Sequence, residues 1–252
     1  MVVSDNRVAD LRGFLDAFVE KFGAKNPDGW GVALLDESTG LYRVKKVYHR
    51  DIKLLEGIFL HDVGEVETRT LIVHLRKASI GRKCLENCHP FENYIDDHQF
   101  VFAHNGTVWP RRALQSKLVS HKPRSSDPTD SELIFCYILD MLEKNGVNLN
   151  SWRDVAEALN EIVLRIRSEA LLTKLNFVLA DRNYVYCYNW NELRYTTIPD
   201  NWGSHGKQQN IDTKSRKIVV CSKPLFENHS WEPLPPKTLV VIHGAEILSI
   251  RV

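Results

Sequence analysis

Residues 100–107 read Phe-Val-Phe-Ala-His104-Asn105-Gly106-Thr, an apolar strand running into a His-Asn-Gly turn. A carboxamide side chain and an unobstructed glycine N–H side by side can cradle a developing oxyanion, so the stretch points to acyl chemistry. Three further segments carry polar groups where a strand ends or a helix begins. They are Asn26-Pro-Asp28-Gly29-Trp30-Gly31, His74-Leu-Arg76-Lys-Ala-Ser79-Ile-Gly81 and Asp127-Pro-Thr-Asp130-Ser-Glu132. Each also has a plain reading. Asn-Pro-Asp-Gly is a good turn, and Asn-Gly is a common turn dipeptide. Arg76 could snorkel off a strand end, and Asp130 could be no more than a helix N-cap. Cys84, Cys88 and His89, with His98 and His104, are zinc-ligand types. Their C-x3-C-H spacing has no clean second pair, and a closed site needs four ligands, so no metal is expected.

The surrounding pattern supplies the elements that would position these groups. Val8, Leu11, Leu15, Phe18 and Phe22 share one helical face, which predicts a helix over 7–22 stopped by Gly23. Strands are expected at 32–35 and 41–48 as a hairpin, then at 70–76 and 100–105. A loop rich in Cys, Asn, His and Pro fills about 80–98. After a polar loop with two prolines, a helix starts near Thr129 or Asp130 and stops at Gly146. Ser151 with Asp154 marks the start of another helix, ending near 170. Strands follow at 176–180, 184–188, 218–222, 238–242 and 247–252, with a surface loop at 199–215. Helices come in two blocks, not in alternation with strands, which is an α+β pattern. No Gly-rich phosphate loop follows a strand, so nucleotide binding has no support, and no cofactor is assigned.

The bulk numbers narrow the class. The chain has 252 residues, 43% of them apolar and 26% charged, with a net charge of +1. That suits a soluble globular domain and favours neither nucleic acid nor an anionic membrane as partner. No apolar run approaches a membrane span, and no signal peptide is evident. Five scattered cysteines fit reduced thiols. A single cytoplasmic domain over 1–252 is expected.

Taken in order, the segments resemble one family. Asp28-Gly-Trp-Gly, His74–Gly81, Asn87-Cys-His-Pro-Phe91, Phe102–Gly106 and Asp127–Glu132 match the class-II glutamine amidotransferases, whose glutaminase domains are N-terminal-nucleophile hydrolases. The likeness is to compact stand-alone members and runs from Val2 to about Leu239, including Cys221–Leu225 and the Trp231 segment. It implies a four-layer αββα sandwich. It implies that Arg76 clamps the α-carboxylate of glutamine and Asp130 takes its α-amino group. Asn105 and Gly106 would form the oxyanion hole. Asp28, Gly29 and Trp30 would shape the wall around the nucleophile, with His74 and Ser79 lining the same pocket; His89 reads as structural. The ligand would be glutamine or a γ-glutamyl compound, and a separate synthase subunit could accept the ammonia.

One part of the pattern is missing. The family's nucleophile is a cysteine at the mature N-terminus, with its own α-amino group as general base. Here Met1 and Val2 open the chain, and no cysteine precedes Cys84. The register of Val2–Asn6 against the family's first strand expects the Met-Cys start about half a dozen residues upstream. Two functions follow: an enzyme whose nucleophile lies on such a segment, or a glutamine-binding pseudoenzyme without turnover.

Overall fold

The strand that begins at Val2 sets the frame of the molecule, because it lies between two others in the middle of a sheet. The computed structural model describes residues 1–199 and 216–251. Strands β1 (Val2–Asp10), β2 (Trp30–Asp36), β3 (Leu41–Val47) and β4 (Glu67–Leu75) join β9 (Arg194–Pro199), β10 (Arg216–Cys221) and β11 (Glu232–Pro233). Their order is β11-β9-β10-β1-β4-β2-β3. Strands β5 (Phe91–Ile95), β6 (His98–Trp109), β7 (Leu172–Ala180), β8 (Val185–Asn189), β12 (Thr238–His243) and β13 (Glu246–Arg251) form a second sheet in the order β13-β12-β8-β7-β6-β5. Every pairing is antiparallel.

Period-two alternation sorts the side chains into layers. Trp30, Val32 and Leu34 of β2 join Leu71 and Val73 of β4 under helices α1 (Arg12–Phe22) and α2 (Ile52–Val63). Phe100 and Phe102 of β6 pack instead under α4 (Asp130–Lys144) and α5 (Trp152–Glu169). The short α3 (Arg111–Gln115) adds Leu114 to that layer. Between the sheets lie the opposite faces: Val2, Ala33, Ile72, Val101, Ala103 and Val178. The result is the expected four-layer αββα sandwich.

Several boundaries differ from the sequence reading. The first helix starts at Arg12, because residues up to Asp10 stay in β1, where Ala9 and Asp10 pair with Thr68 and Glu67. The His104-Asn105-Gly106 segment is not a turn. It lies inside β6, where Asn105 pairs with Asn176 and Gly106 with Leu175. Helix α2 has no counterpart among the expected elements; Asp51 caps it by accepting from the N–H groups of Lys53 and Leu54. The loop expected over 199–215 falls outside the described residues.

Phe102 stacks 5.3 Å from Phe135 of α4 and lies 5.5 Å from Phe177 of β7. It therefore joins helix to sheet directly behind His104. Phe102→Ala is expected to cost about 3–5 kcal/mol. Urea unfolding should show a lower midpoint at unchanged slope, and a loss below about 1 kcal/mol would contradict this packing role.

Candidate functional site

Strand β5 pairs with β6 only as far as Phe91 opposite Phe102. From Ala103 onward β6 has β7 on one side and no strand on the other. Val108 donates its N–H from that open edge to the Asp130 carboxylate, 2.8 Å away. The register with β7 is continuous from Val101 to Trp109. N–H groups two residues apart on a strand point the same way, so the Gly106 N–H faces the same open edge. Only glycine fits there, since a Cβ would stand 1.9 Å from the Lys174 carbonyl oxygen. Asn105 is exposed. It falls on the face shared by Val101 and Ala103, towards the seam between the sheets. Its carbonyl accepts from Asn176 Nδ2 at 3.1 Å.

On the facing sheet, His74 shares the inter-sheet face of Ile72 by the same alternation. Arg76 follows directly after β4 and is buried. Its Nη2 and Nη1 donate to the Ile80 and Arg82 carbonyls at 3.0 and 3.2 Å. These two bonds leave Nε–H and further guanidinium N–H groups to other partners. The Asp28-Gly29 turn is fastened to the same point: Asp28 N–H donates to the Arg76 carbonyl, and Arg76 N–H donates to the Gly29 carbonyl. Asp28 accepts from Ala78 N–H and pairs with Lys83 at 2.7 Å. Burial opposes its charge, yet the Lys83 and Ala78 bonds outweigh burial and hold the carboxyl below its usual range. Gly29 has φ +114°, and a Cβ there would meet Cys88 Sγ at 2.2 Å.

Asp130 is the first residue of α4 and is buried. Thr129 caps the helix by accepting from Glu132 N–H. Ser131 contacts His104 Nδ1 at 2.9 Å, while His104 Nε2 faces the Lys174 carbonyl at 3.1 Å. Asn87 ties the intervening loop down by donating to the Arg82 and Asp127 carbonyls. Arg76, Asp28 and Gly29 are thus tied together directly, while Asp130 is tied through Val108 to β6, the strand that carries Asn105 and Gly106. Two expected members stand apart. Trp30 turns its indole to the helix layer, against Phe59 at 5.6 Å, and Ser79 is exposed on the loop. Ser131 and Asn176 carry no role in the sequence reading, and Asn87 enters it only as the start of the Asn87–Phe91 motif.

Three imidazoles sit behind these groups, those of His89 and His104 buried and that of His74 half-buried. The His74 and His89 rings are 4.1 Å apart, and His89 leans on Phe91 at 4.6 Å. Both ring nitrogens of His89 and Nδ1 of His74 have no hydrogen-bond partner in the protein. Burial, helped by the nearby Met1 α-amino group, pushes His74 down to about 3. Burial with the neighbouring His74, His104 and Arg76 takes His89 well below its ordinary value. Burial lowers His104 too, against the pull of Asp130. Cys84, Cys88 and His89 do not converge. Among the described residues the converging ligand types are His121, Asp140 and Glu143. There Asp140 already accepts from the N–H groups of Val119, Ser120 and His121.

A family model for class-II glutamine amidotransferases matches residues 3–251. The chain belongs to this family. Uncharacterized protein MJ1515 of Methanocaldococcus jannaschii is 32% identical over 258 residues, covering 96% of this chain and 68% of the relative. The Escherichia coli protein named "Putative glutamine amidotransferase YafJ" is 24% identical, covering 93% of this chain and 92% of the relative. The crystal structure of a predicted glutamine amidotransferase from Pseudomonas aeruginosa superposes with a TM-score of 0.68 at 20% identity, over 98% of each chain. At that identity the match shows a shared fold. No described helix is long and apolar enough to cross a membrane.

The histidine cluster makes stability depend on pH with a definite sign. Each of the three rings has a folded pKa below its unfolded value, so the unfolded chain binds more protons once pH falls below about 6.5. Their contribution is complete above that pH and is lost on acidification. Between pH 6.5 and 5 the unfolding free energy should drop, by up to about 1.4 kcal/mol per pH unit for each ring that stays unprotonated in the folded protein. His89→Phe should remove close to one proton from that slope. An unchanged slope would contradict a neutral, buried His89.

Proposed function

We propose that this site binds glutamine or a γ-glutamyl compound and hydrolyses its γ-carboxamide. The observation that carries the reading is the open edge of β6, where the Gly106 N–H lies two residues from the Val108–Asp130 bond and the Asn105 side chain falls on the seam face of the same strand. In this reading the unused guanidinium N–H groups of Arg76 clamp the α-carboxylate. Asp130 gives one oxygen to Val108 and the other to the α-ammonium group. A thiolate attacks the carboxamide carbon, and Asn105 with Gly106 N–H stabilises the resulting oxyanion. The C–N bond then breaks, ammonia leaves, and water hydrolyses the γ-glutamyl thioester to glutamate. Asp28, Gly29 and the Trp30 backbone form the wall, with His74 and Ser79 around the rim.

Cys88, Cys136 and Cys187, all buried, are poor candidates for the thiolate. Burial pushes Cys88 up to about 11 and Cys136 and Cys187 up to about 12, away from the range of reactive thiols. Strand register suggests a better place. Val2 pairs with Ile72 and Val3 with Leu71, and Met1 exchanges hydrogen bonds with Val73. Continued upstream, the first and third residues before Met1 would lie opposite His74 and Arg76, with side chains in the seam. A cysteine there, made N-terminal by processing, would bring its own amine as the base. That spacing is shorter than the half-dozen residues read from sequence. The ammonia would pass to a separate acceptor or be released.

The test is ammonia release from L-glutamine by protein extended upstream to include the cysteine. Turnover should appear with the extension and vanish on Cys→Ala. Asn105→Ala should lower kcat by about 10²–10³. Activity that survives Cys→Ala would overturn the mechanism. Independently, Arg76→Ala should abolish calorimetric binding of glutamine to the chain as it stands, and unchanged affinity would overturn the carboxylate clamp.

A further inference from the structure

Two residues past Asp130, on the same helix, Glu132 borders a cavity of about 200 Å³. Lys46 of β3, Phe91 of β5, Phe135 of α4 and Arg124 share its wall. Neither Arg76, Asp130, Asn105 nor Gly106 borders it. Glu132 is only 3% exposed. One of its oxygens accepts from Arg124 N–H at 2.6 Å, while Oε2 has no hydrogen-bond partner in the protein. A buried carboxylate oxygen without a donor costs free energy, so the site is poised for one. Across the same cavity the Lys46 ammonium lies 5.5 Å over the Phe91 ring and forms no ion pair with a described carboxylate. Of the other acids on the wall, Glu92 is already engaged by Arg124 at 3.6 Å and by Gln99 at 3.4 Å, and Glu86 is exposed and makes no ion pair with Lys46. Burial raises the pKa of Glu132 and lowers that of Lys46, so each charge is short of compensation.

An unpaired carboxylate oxygen and an unpaired ammonium thus border one cavity without touching each other. A ligand that satisfies both must carry a cationic donor and an anionic acceptor. The walls between them are aromatic, and the volume is below that of sites for drug-sized molecules. We propose that this cavity is a binding site for a free α-amino acid with an apolar side chain, its ammonium on Glu132, its carboxylate on Lys46 and its side chain against Phe91 and Phe135. The site is separate from the γ-glutamyl site and does not depend on that reading.

Calorimetric titration with L-leucine tests it, with 4-methylpentanoic acid and isopentylamine as probes that each keep one charge. L-Leucine should bind, and each single-charge probe should bind at least about tenfold more weakly. Glu132→Gln keeps an oxygen for the Arg124 N–H, and Lys46→Met keeps the apolar stem. Both variants should fold, as checked by circular dichroism, and each should lose at least about tenfold in leucine affinity. Arg76→Ala should leave leucine binding intact. Three results would each overturn the proposal: no heat from L-leucine or L-phenylalanine at millimolar concentration, which leaves a cavity for water only; affinity unchanged in both Glu132→Gln and Lys46→Met; or loss of leucine binding in Arg76→Ala, which moves the amino acid to the neighbouring site.

Discussion

Where β5 stops opposite Phe102, the edge of β6 loses its strand partner, and the buried N–H of Val108 must find an acceptor elsewhere. Asp130 supplies it from the first turn of α4. A carboxylate at a helix N-terminus is stabilised by the orphan N–H groups and the dipole of that helix. The single 2.8 Å bond therefore locks helix to strand. It also leaves Gly106, two residues back, with its N–H on the same unpaired edge. The absence of a side chain at Gly106, forced by the Lys174 carbonyl, keeps that edge accessible. The paired donor at Val108 and the open-edge donor at Gly106 thus stand two residues apart on one strand.

The second constraint is electrostatic. Arg76 is buried and bonded to loop carbonyls, and Asp28 is held ionised nearby by Lys83 and Ala78 N–H. Around them burial and neighbouring positive charges hold the pKa values of His74 and His89 down, and burial lowers that of His104 against the pull of Asp130. Apolar packing against Phe91 and Phe102 keeps the rings in place. The unpaired nitrogens of His89 leave unmet hydrogen-bonding capacity close to the proposed nucleophile. The proposed site thus offers one buried guanidinium, at Arg76, and one buried carboxylate, at Asp130, which suits a ligand that carries both a carboxylate and an ammonium group.

Much of this was legible in the sequence. A start near Thr129 or Asp130 with a stop at Gly146, and the Ser151–Asp154 signature with its apolar face, marked the two helices that run over Asp130–Lys144 and Trp152–Glu169. The polar segments at Arg76, Asn105, Gly106 and Asp130 were recognisable because strand ends and helix starts carry special residues. What was not legible depends on partners distant in sequence. Asn105-Gly106 reads locally as a turn, but β7 pairs with it throughout and keeps it extended. Residues 7–10 continue the amphipathic pattern of α1, yet β4 takes them as strand. Trp30 sits beside a functional turn, but β-sheet alternation sends its side chain to the helix layer. Glu132 looks like a capping-box residue after Thr129; instead its carboxylate reaches the Arg124 N–H and the adjoining cavity.

The most direct measurement is a crystal structure of the protein with L-glutamate, the product of the proposed reaction. The α-carboxylate should lie against the Arg76 guanidinium and the α-ammonium at Asp130, with the γ-carboxyl turned towards Asn105 and the Gly106 N–H. Glutamate bound elsewhere, or bound here with its α-carboxylate away from Arg76, would contradict the assignment of the open β6 edge as the reacting end of the site.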